Sequence, residues 1–350
     1  MVNFGRGNMM RAGLSLTGFL LFAVLSCASP QKAPFTDPNL FTSLKSDGSS
    51  NQPTSGDLVR VDAAPANGFY WPYYLYVPPK ELLKRSRGLG FNYILVLPNN
   101  SGGNDSFEIH DKDAKERTER SRRLANELGV IIVRPVFPRS KTEWWYYTHA
   151  LDRDTMLMTK PDLKRPDVQL IAMVEDARRR LKKDGLNVEQ RVLLWGFSAS
   201  GMFANRFALL HPERVQAVAV GSPGGWPIAP TPTYRGMKLR YPIGTGDLTS
   251  VAGKVFDKDG FKRPPMFFYM GDQDTNDSVV FTDGYDPEDK NLIFELFGDL
   301  PVKRWAIAEK LYREAGCNCR FKLYPGVEHT QPKDVLQEVM VFLKDSMRNH

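Results

Sequence analysis

Six residues constrain the fold of this chain more than any other stretch. GFSASG, Gly196 to Gly201, stands between a strand-like run, RVLLW, and a helix-like run, MFANRFALL. A serine on a sharp strand-to-helix turn needs small residues two positions before and after it, because the backbone folds back on itself there. Ser198 has Gly196 and Ser200 in those places; the rival hydroxyl, Ser200, would have Ser198 and the bulky Met202. Ser198 is therefore the candidate nucleophile. A bare match of this kind turns up often in glycine-rich turns, and its placement between strand and helix is what gives it weight.

Apolar runs on either side predict the rest of the architecture. Strands are expected at 58–63 and 70–77, as an antiparallel pair around the turn AAPANG, then at 91–97, 130–136, 191–195, 215–220, 265–270 and 321–324. Helical patterns at 112–128, 167–183, 202–210, 303–315 and 334–348 alternate with them. This order predicts an α/β fold: a mostly parallel, twisted sheet of about eight strands with helices on both faces. The length of 350 residues would hold two average domains, but open α/β sheets of this size are often one, and 42% hydrophobic residues is ample for one large core. No internal repeat is visible.

The N-terminus reads as an export signal. Arg6 and Arg11 precede an apolar stretch at 12–25 that is short for a membrane-spanning helix. VLSCAS follows, with Cys27 just after the apolar run. This resembles a bacterial lipobox, which implies cleavage before Cys27, lipidation of its thiol and a membrane anchor; Ala28 in the next position implies the outer membrane by the same analogy. Ordinary signal-peptidase cleavage near Ala28 is the alternative. Residues 29–56, rich in Pro, Ser, Asn and Gly without a hydrophobic period, read as a flexible tether ahead of a catalytic domain at 57–350.

From the strand at 91 to the chain end, the motifs GFSASG, GDQD and YPGVEH resemble the α/β-hydrolase superfamily, most nearly its secreted esterase and polyhydroxybutyrate-depolymerase-like group. The resemblance implies an α/β-hydrolase fold and ester hydrolysis through an acyl-serine intermediate without a cofactor or metal. A serine hydroxyl needs a base to take its proton and an acid to orient that base, and in this superfamily the chain order is Ser, then Asp or Glu, then His. His110 and His149 precede Ser198, and His350 is the last residue. His211 follows the elbow by one short helix, whose end it is expected to cap. His329, on the loop before the last predicted helix, is the remaining candidate base. The acid is expected in GDQDTND, where Asp274 stands three residues past Gly271 as in the family pattern; Asp272 and Asp277 are expected to form turns or face solvent.

A tetrahedral oxyanion also needs backbone donors. One is expected at the N–H of Ala199, at a helix N-terminus. The second is expected from the loop NNSGGND after the strand NYILVLP. Relatives commonly carry His-Gly-Gly or His-Gly-Ala there, and Pro98-Asn99-Asn100 departs from that pattern. Asn100 is the candidate donor, with Asn99 and Ser101 as alternates.

Substrate contacts are less constrained. Trp144 and Trp145, in EWWYYTH, either wall an acyl or aromatic pocket or pack under a long loop. A Gly/Pro-rich insertion at about 222–264 is long enough for a cap, with Trp226 and Tyr234 as candidate contacts. The expected partner is a small-molecule or polymeric ester. A net charge of +7, without clustered basic stripes, gives little support for nucleic-acid binding. Cys317 and Cys319 are too few for a disulfide framework and lack companions for a zinc site; a short-loop disulfide and two free thiols both stay open. Two other functions also stay open: a lipid-tethered binding protein on an inactive hydrolase fold, and a serine peptidase.

Overall fold

Alternate residues of the central strands pack to opposite sides. The computed structural model describes residues 56–83, 91–99, 103, 105–282 and 284–348. The expected signal peptide, Cys27, most of the tether, Asn100 and Ser101 lie outside them. The strands are β1 (Asp57–Val61), β2 (Tyr73–Val77), β3 (Ile94–Val96), β4 (Ile131–Pro135), β5 (Val192–Phe197), β6 (Val215–Gly221), β7 (Thr233–Tyr234), β8 (Met237–Lys238), β9 (Met266–Gly271) and β10 (Cys319–Tyr324). The helices are α1 (Lys80–Leu83), α2 (Phe107–Arg120), α3 (Arg122–Leu128), α4 (Arg153–Leu157), α5 (Pro166–Lys183), α6 (Ala199–Leu210), α7 (Leu248–Ala252), α8 (Lys258–Phe261), α9 (Pro287–Phe297), α10 (Pro301–Glu314) and α11 (Lys333–Ser346).

Leu194, Val218, Val220 and Phe268 join one core with Met173 and Ala177 of α5, Phe203 and Phe207 of α6, and Trp305 and Tyr312 of α10. Their neighbours Leu193, Trp195, Ala217, Ala219, Phe267 and Tyr269 join a second core with Leu124 of α3 and Val339 and Leu343 of α11. Strands buried on both faces need continuous apolar sequence, and VLLW in β5 and MFFYM in β9 supply it. Each such side chain contributes about 1.5–3 kcal/mol on burial. The sheet is thus held by its two helical layers.

Eight strands form one sheet in the order β1-β2-β4-β3-β5-β6-β9-β10. β1 pairs antiparallel with β2, and β2 antiparallel with β4; from β4 to β10 every neighbouring pair is parallel. The order reverses at β3, which lies between β4 and β5. In open α/β sheets, ligand sites form beyond the carboxyl ends of strands near such a reversal.

Two of the differences from the expectation lie in longer helices. The helix expected at 112–128 is two helices, broken at Ser121. There the Ser121 hydroxyl donates to the Arg117 carbonyl at 2.7 Å beside the backbone N–H that already bonds it, a back-bond of the kind that bends helices. α9 had not been anticipated; it starts at a capping box, with Asp286 as N-cap and Asp289 returning the bond, and with Pro287 in its first turn. The segment 222–264 carries the hairpin β7/β8 together with α7 and α8.

Candidate active site

Ser198 follows the last residue of β5 and precedes α6, at φ 59° and ψ −126°. That backbone region is strained for any residue with a side chain. The crowding around it explains the glycines. A Cβ on Gly196 would come within 2.0 Å of the Ser200 carbonyl oxygen, and one on Gly201 within 2.5 Å of the Gly221 oxygen on β6. The second tight position is therefore Gly201, one residue later than the spacing rule predicts. Ser200 is accommodated because its hydroxyl turns back onto the backbone of Phe197. Ala199 opens α6 and is buried.

Asp274 and His329 follow the carboxyl ends of β9 and β10. His329 Nδ1 lies 2.8 Å from Asp274 Oδ2, and both residues are buried. A ring nitrogen this close to a carboxylate donates its proton, so Nδ1 carries the hydrogen. The other oxygen of Asp274 accepts the N–H of Asn276 at 2.9 Å. The two loops are joined by further bonds. Gln273 N–H donates to the Val327 carbonyl at 3.0 Å, Gly326 N–H donates to Asp272 Oδ1 at 2.8 Å, and the Tyr269 hydroxyl donates to Gln331 Oε1 at 2.5 Å. Burial holds the Tyr269 phenol above its ordinary range, so it keeps its proton. A Cβ on Gly271 would stand 1.9 Å from the Val327 oxygen, which is how closely the loops approach. The His329 ring also packs on Phe197, with centroids 4.7 Å apart, and this brings the β10 loop to the residue before Ser198.

The rival carboxylates are engaged elsewhere. Asp277 makes a buried bidentate pair with Arg304 of α10, at 3.0 and 2.9 Å. Asp277 Oδ1 also accepts the Val279 N–H at 3.0 Å, the turn role expected of it; exposure to solvent is what burial against Arg304 corrects. Asp272 is exposed and serves as the acceptor for the Gly326 turn, as expected. His211 caps α6; its Nε2 lies 2.8 Å from Asp167 Oδ2 in the first turn of α5.

Asn99 is buried, and its side chain is committed to the Phe137 backbone: Nδ2 donates to the carbonyl at 2.9 Å, and Oδ1 accepts the N–H at 3.4 Å. His149 Nε2 converges on the same carbonyl at 2.6 Å. His110 packs edge-on against His149, and burial lowers its pKa. Trp144 and Trp145 are exposed, in T-shaped contact with each other. Trp226 is not at the surface. It stacks on Phe297 at 3.9 Å and donates to the Ile243 carbonyl at 2.9 Å, which makes it a packing residue of the insertion. Tyr234, half-buried, leans on the same Phe297 ring.

Sequence reasoning missed two buried arginines that brace the surrounding loops. Arg206 of α6 donates to the Ala150 and Leu151 carbonyls, and Arg304 also reaches the Gly225 and Gly298 carbonyls. For Arg206, an arginine inside the largely apolar run MFANRFALL was the available signal; Arg304, in the charged helix PVKRWAIAEKLYRE, gave none. Cys317 and Cys319 are free thiols, pushed up by burial to about 12 and about 11. Among the described residues, no group of three or more His, Cys, Asp or Glu is arranged to hold a metal ion.

Strand order, parallel pairing and the strand-end positions of Ser198, Asp274 and His329 define the α/β-hydrolase fold. No family model and no curated protein matches the sequence. Among solved structures, the chain is similar to poly(aspartic acid) hydrolase-1 from Sphingomonas sp. KT-1, at 18% identity over 83% of this chain and 99% of that one, with a TM-score of 0.53. It is also similar to LpqC, a poly(3-hydroxybutyrate) depolymerase from Bordetella parapertussis, at 17% identity over 79% and 85% of the chains and a TM-score of 0.48. What is shared at this identity is the fold.

Proposed function

We propose that the chain is a serine hydrolase of carboxylic esters, with Ser198 as nucleophile, His329 as general base and Asp274 as its orienting acid. One observation carries the reading: a serine held in strained backbone at the end of β5 lies next to Phe197, whose ring meets a histidine already oriented by a buried carboxylate. With Nδ1–H given to Asp274, Nε2 is the nitrogen that takes the Ser198 proton as Oγ attacks the ester carbonyl. The same proton passes to the departing alcohol. Water, deprotonated by Nε2, then attacks the acyl-serine; the Oγ–acyl bond breaks, the acid leaves, and Nε2 returns the proton to Ser198 Oγ. Ala199 N–H and Asn100 N–H are the proposed donors to the oxyanion.

Export and lipid attachment at Cys27 belong to the same proposal and rest on the leader sequence. The exposed Trp144 and Trp145 are the proposed apolar contacts. Because the Sphingomonas neighbour is a poly(aspartic acid) hydrolase, poly(aspartic acid) joins acyl and aryl esters in the substrate panel. Turnover of an activated ester by the wild-type chain and its loss in Ser198→Ala test the reading; equal activity in both contradicts it.

A further inference from the structure

We infer that Ser200, the hydroxyl rejected as nucleophile, is a positioning residue that holds the Ser198 turn against His329; the inference rests on the hydrolase reading above. β3 pairs with β5 only through Leu95 with Leu193 and Val96 with Leu194, three residues short of Phe197. The next residue after β3, Leu97, gives its N–H to the Val133 carbonyl of β4, on the side away from β5. Phe197 is buried, and a buried backbone N–H without a partner is costly. Ser200 meets the need from within the turn. Its Oγ accepts the Phe197 N–H at 2.9 Å and donates its own proton to the Phe197 carbonyl, also at 2.9 Å. On the other side, Ser198 N–H donates to the Gly221 carbonyl of β6 at 2.9 Å. The peptide entering the turn is thus held from both flanks, by β6 and by Ser200.

The consequence reaches the base through one ring. Phe197 packs on His329, so a shift of the Phe197 backbone moves both the attachment of Ser198 and the surface against which the imidazole rests. Small displacements of reacting groups cost rate more than they cost binding. Ser200 acts through Phe197 and Ser198 and does not touch the reacting atoms.

The test uses Ser200→Ala and Ser200→Thr in the full chain. With an activated ester, Ser200→Ala is expected to lower kcat about tenfold with KM within about twofold, and Ser200→Thr to recover most of that loss by restoring a hydroxyl. Amide hydrogen exchange reads the clamp directly and without catalysis: the Phe197 N–H should exchange faster in Ser200→Ala than in wild type, while the Ser198 N–H, bound to β6, changes less. Unchanged exchange at Phe197, an unchanged kcat, or a loss confined to KM overturns the inference. A wild-type chain that turns over no ester, with the exchange difference present, places the failure in the hydrolase reading and not in the clamp.

Discussion

At Ser198 the backbone carries a conformation that costs a non-glycine residue about 1–3 kcal/mol, and the contacts of Gly196 and Gly201 with their neighbours leave it no alternative. Ser198→Ala should therefore fold normally and lose ester turnover by at least about 10³-fold, whereas Ser200→Ala keeps a measurable fraction. Steady-state rates on one activated ester check both. The three carboxylates of GDQDTND separate in the same way. Asp274→Asn should lower kcat by about 10³–10⁴-fold, because the imidazole loses the group that fixes its tautomer and steadies its cation. Asp272→Asn should cost little. Asp277→Asn should instead lower stability by about 3–5 kcal/mol, since it breaks a pair in which both side chains are buried. Urea denaturation beside kinetics distinguishes the outcomes, and severe kinetic loss in a fully stable Asp277→Asn would move the acid to that position. The sharp turn at Ser198 was legible in outline because steric demand on a turn is local, although its second tight position is Gly201 and not Ser200. The partner of Asp277 was not, because Arg304 lies on a helix that only the tertiary fold brings near.

Among the elements, the packing of α5 against α6 shows how a histidine of the right type can be structural. Asp167, fully buried, would have its pKa raised by desolvation, but hydrogen bonds from His211 and Arg165 outweigh burial and hold it well below its ordinary value of 3.8. A carboxyl depressed in the folded state contributes stability that is fully present above its unfolded pKa and is lost as pH falls through the folded one. Asp167→Asn should therefore cost about 2–3 kcal/mol near neutral pH. The gap from wild type should narrow as pH falls below about 4. Denaturant melts at pH 7 and pH 3 check this, and a gap that widens at pH 3 contradicts it. Strands and long helices were legible from apolar runs and periodicity. The break at Ser121 was not, because its buried hydroxyl is shared between the Arg117 carbonyl and Arg134 of β4, a neighbour that only the tertiary fold supplies. α9 escaped notice behind a loop-like opening, GYDPEDK, whose acidic cap signal is intelligible once the helix it starts is seen.

In the whole molecule, one sheet delivers three loops to one rim, and the bonds between the β9 and β10 segments fix Asp274 and His329 to each other. That arrangement was legible in outline, since strand order along the chain and the family order of Ser, Asp and His agree. The oxyanion loop was not, because Pro98-Asn99-Asn100 matches no pattern with a fixed geometry. The leader sequence makes a separate prediction for the intact chain: Cys27→Ser should move the exported protein from the membrane fraction to the soluble fraction, and an unchanged membrane fraction contradicts lipidation. The central claim, that Ser198 is a nucleophile activated by His329, is tested most directly by reaction with a fluorophosphonate followed by peptide mass analysis. The account predicts one adduct, on Ser198, formed by the wild type and by Ser200→Ala and much more slowly by His329→Ala. An adduct on Ser200, or none on a folded wild-type chain, would contradict it.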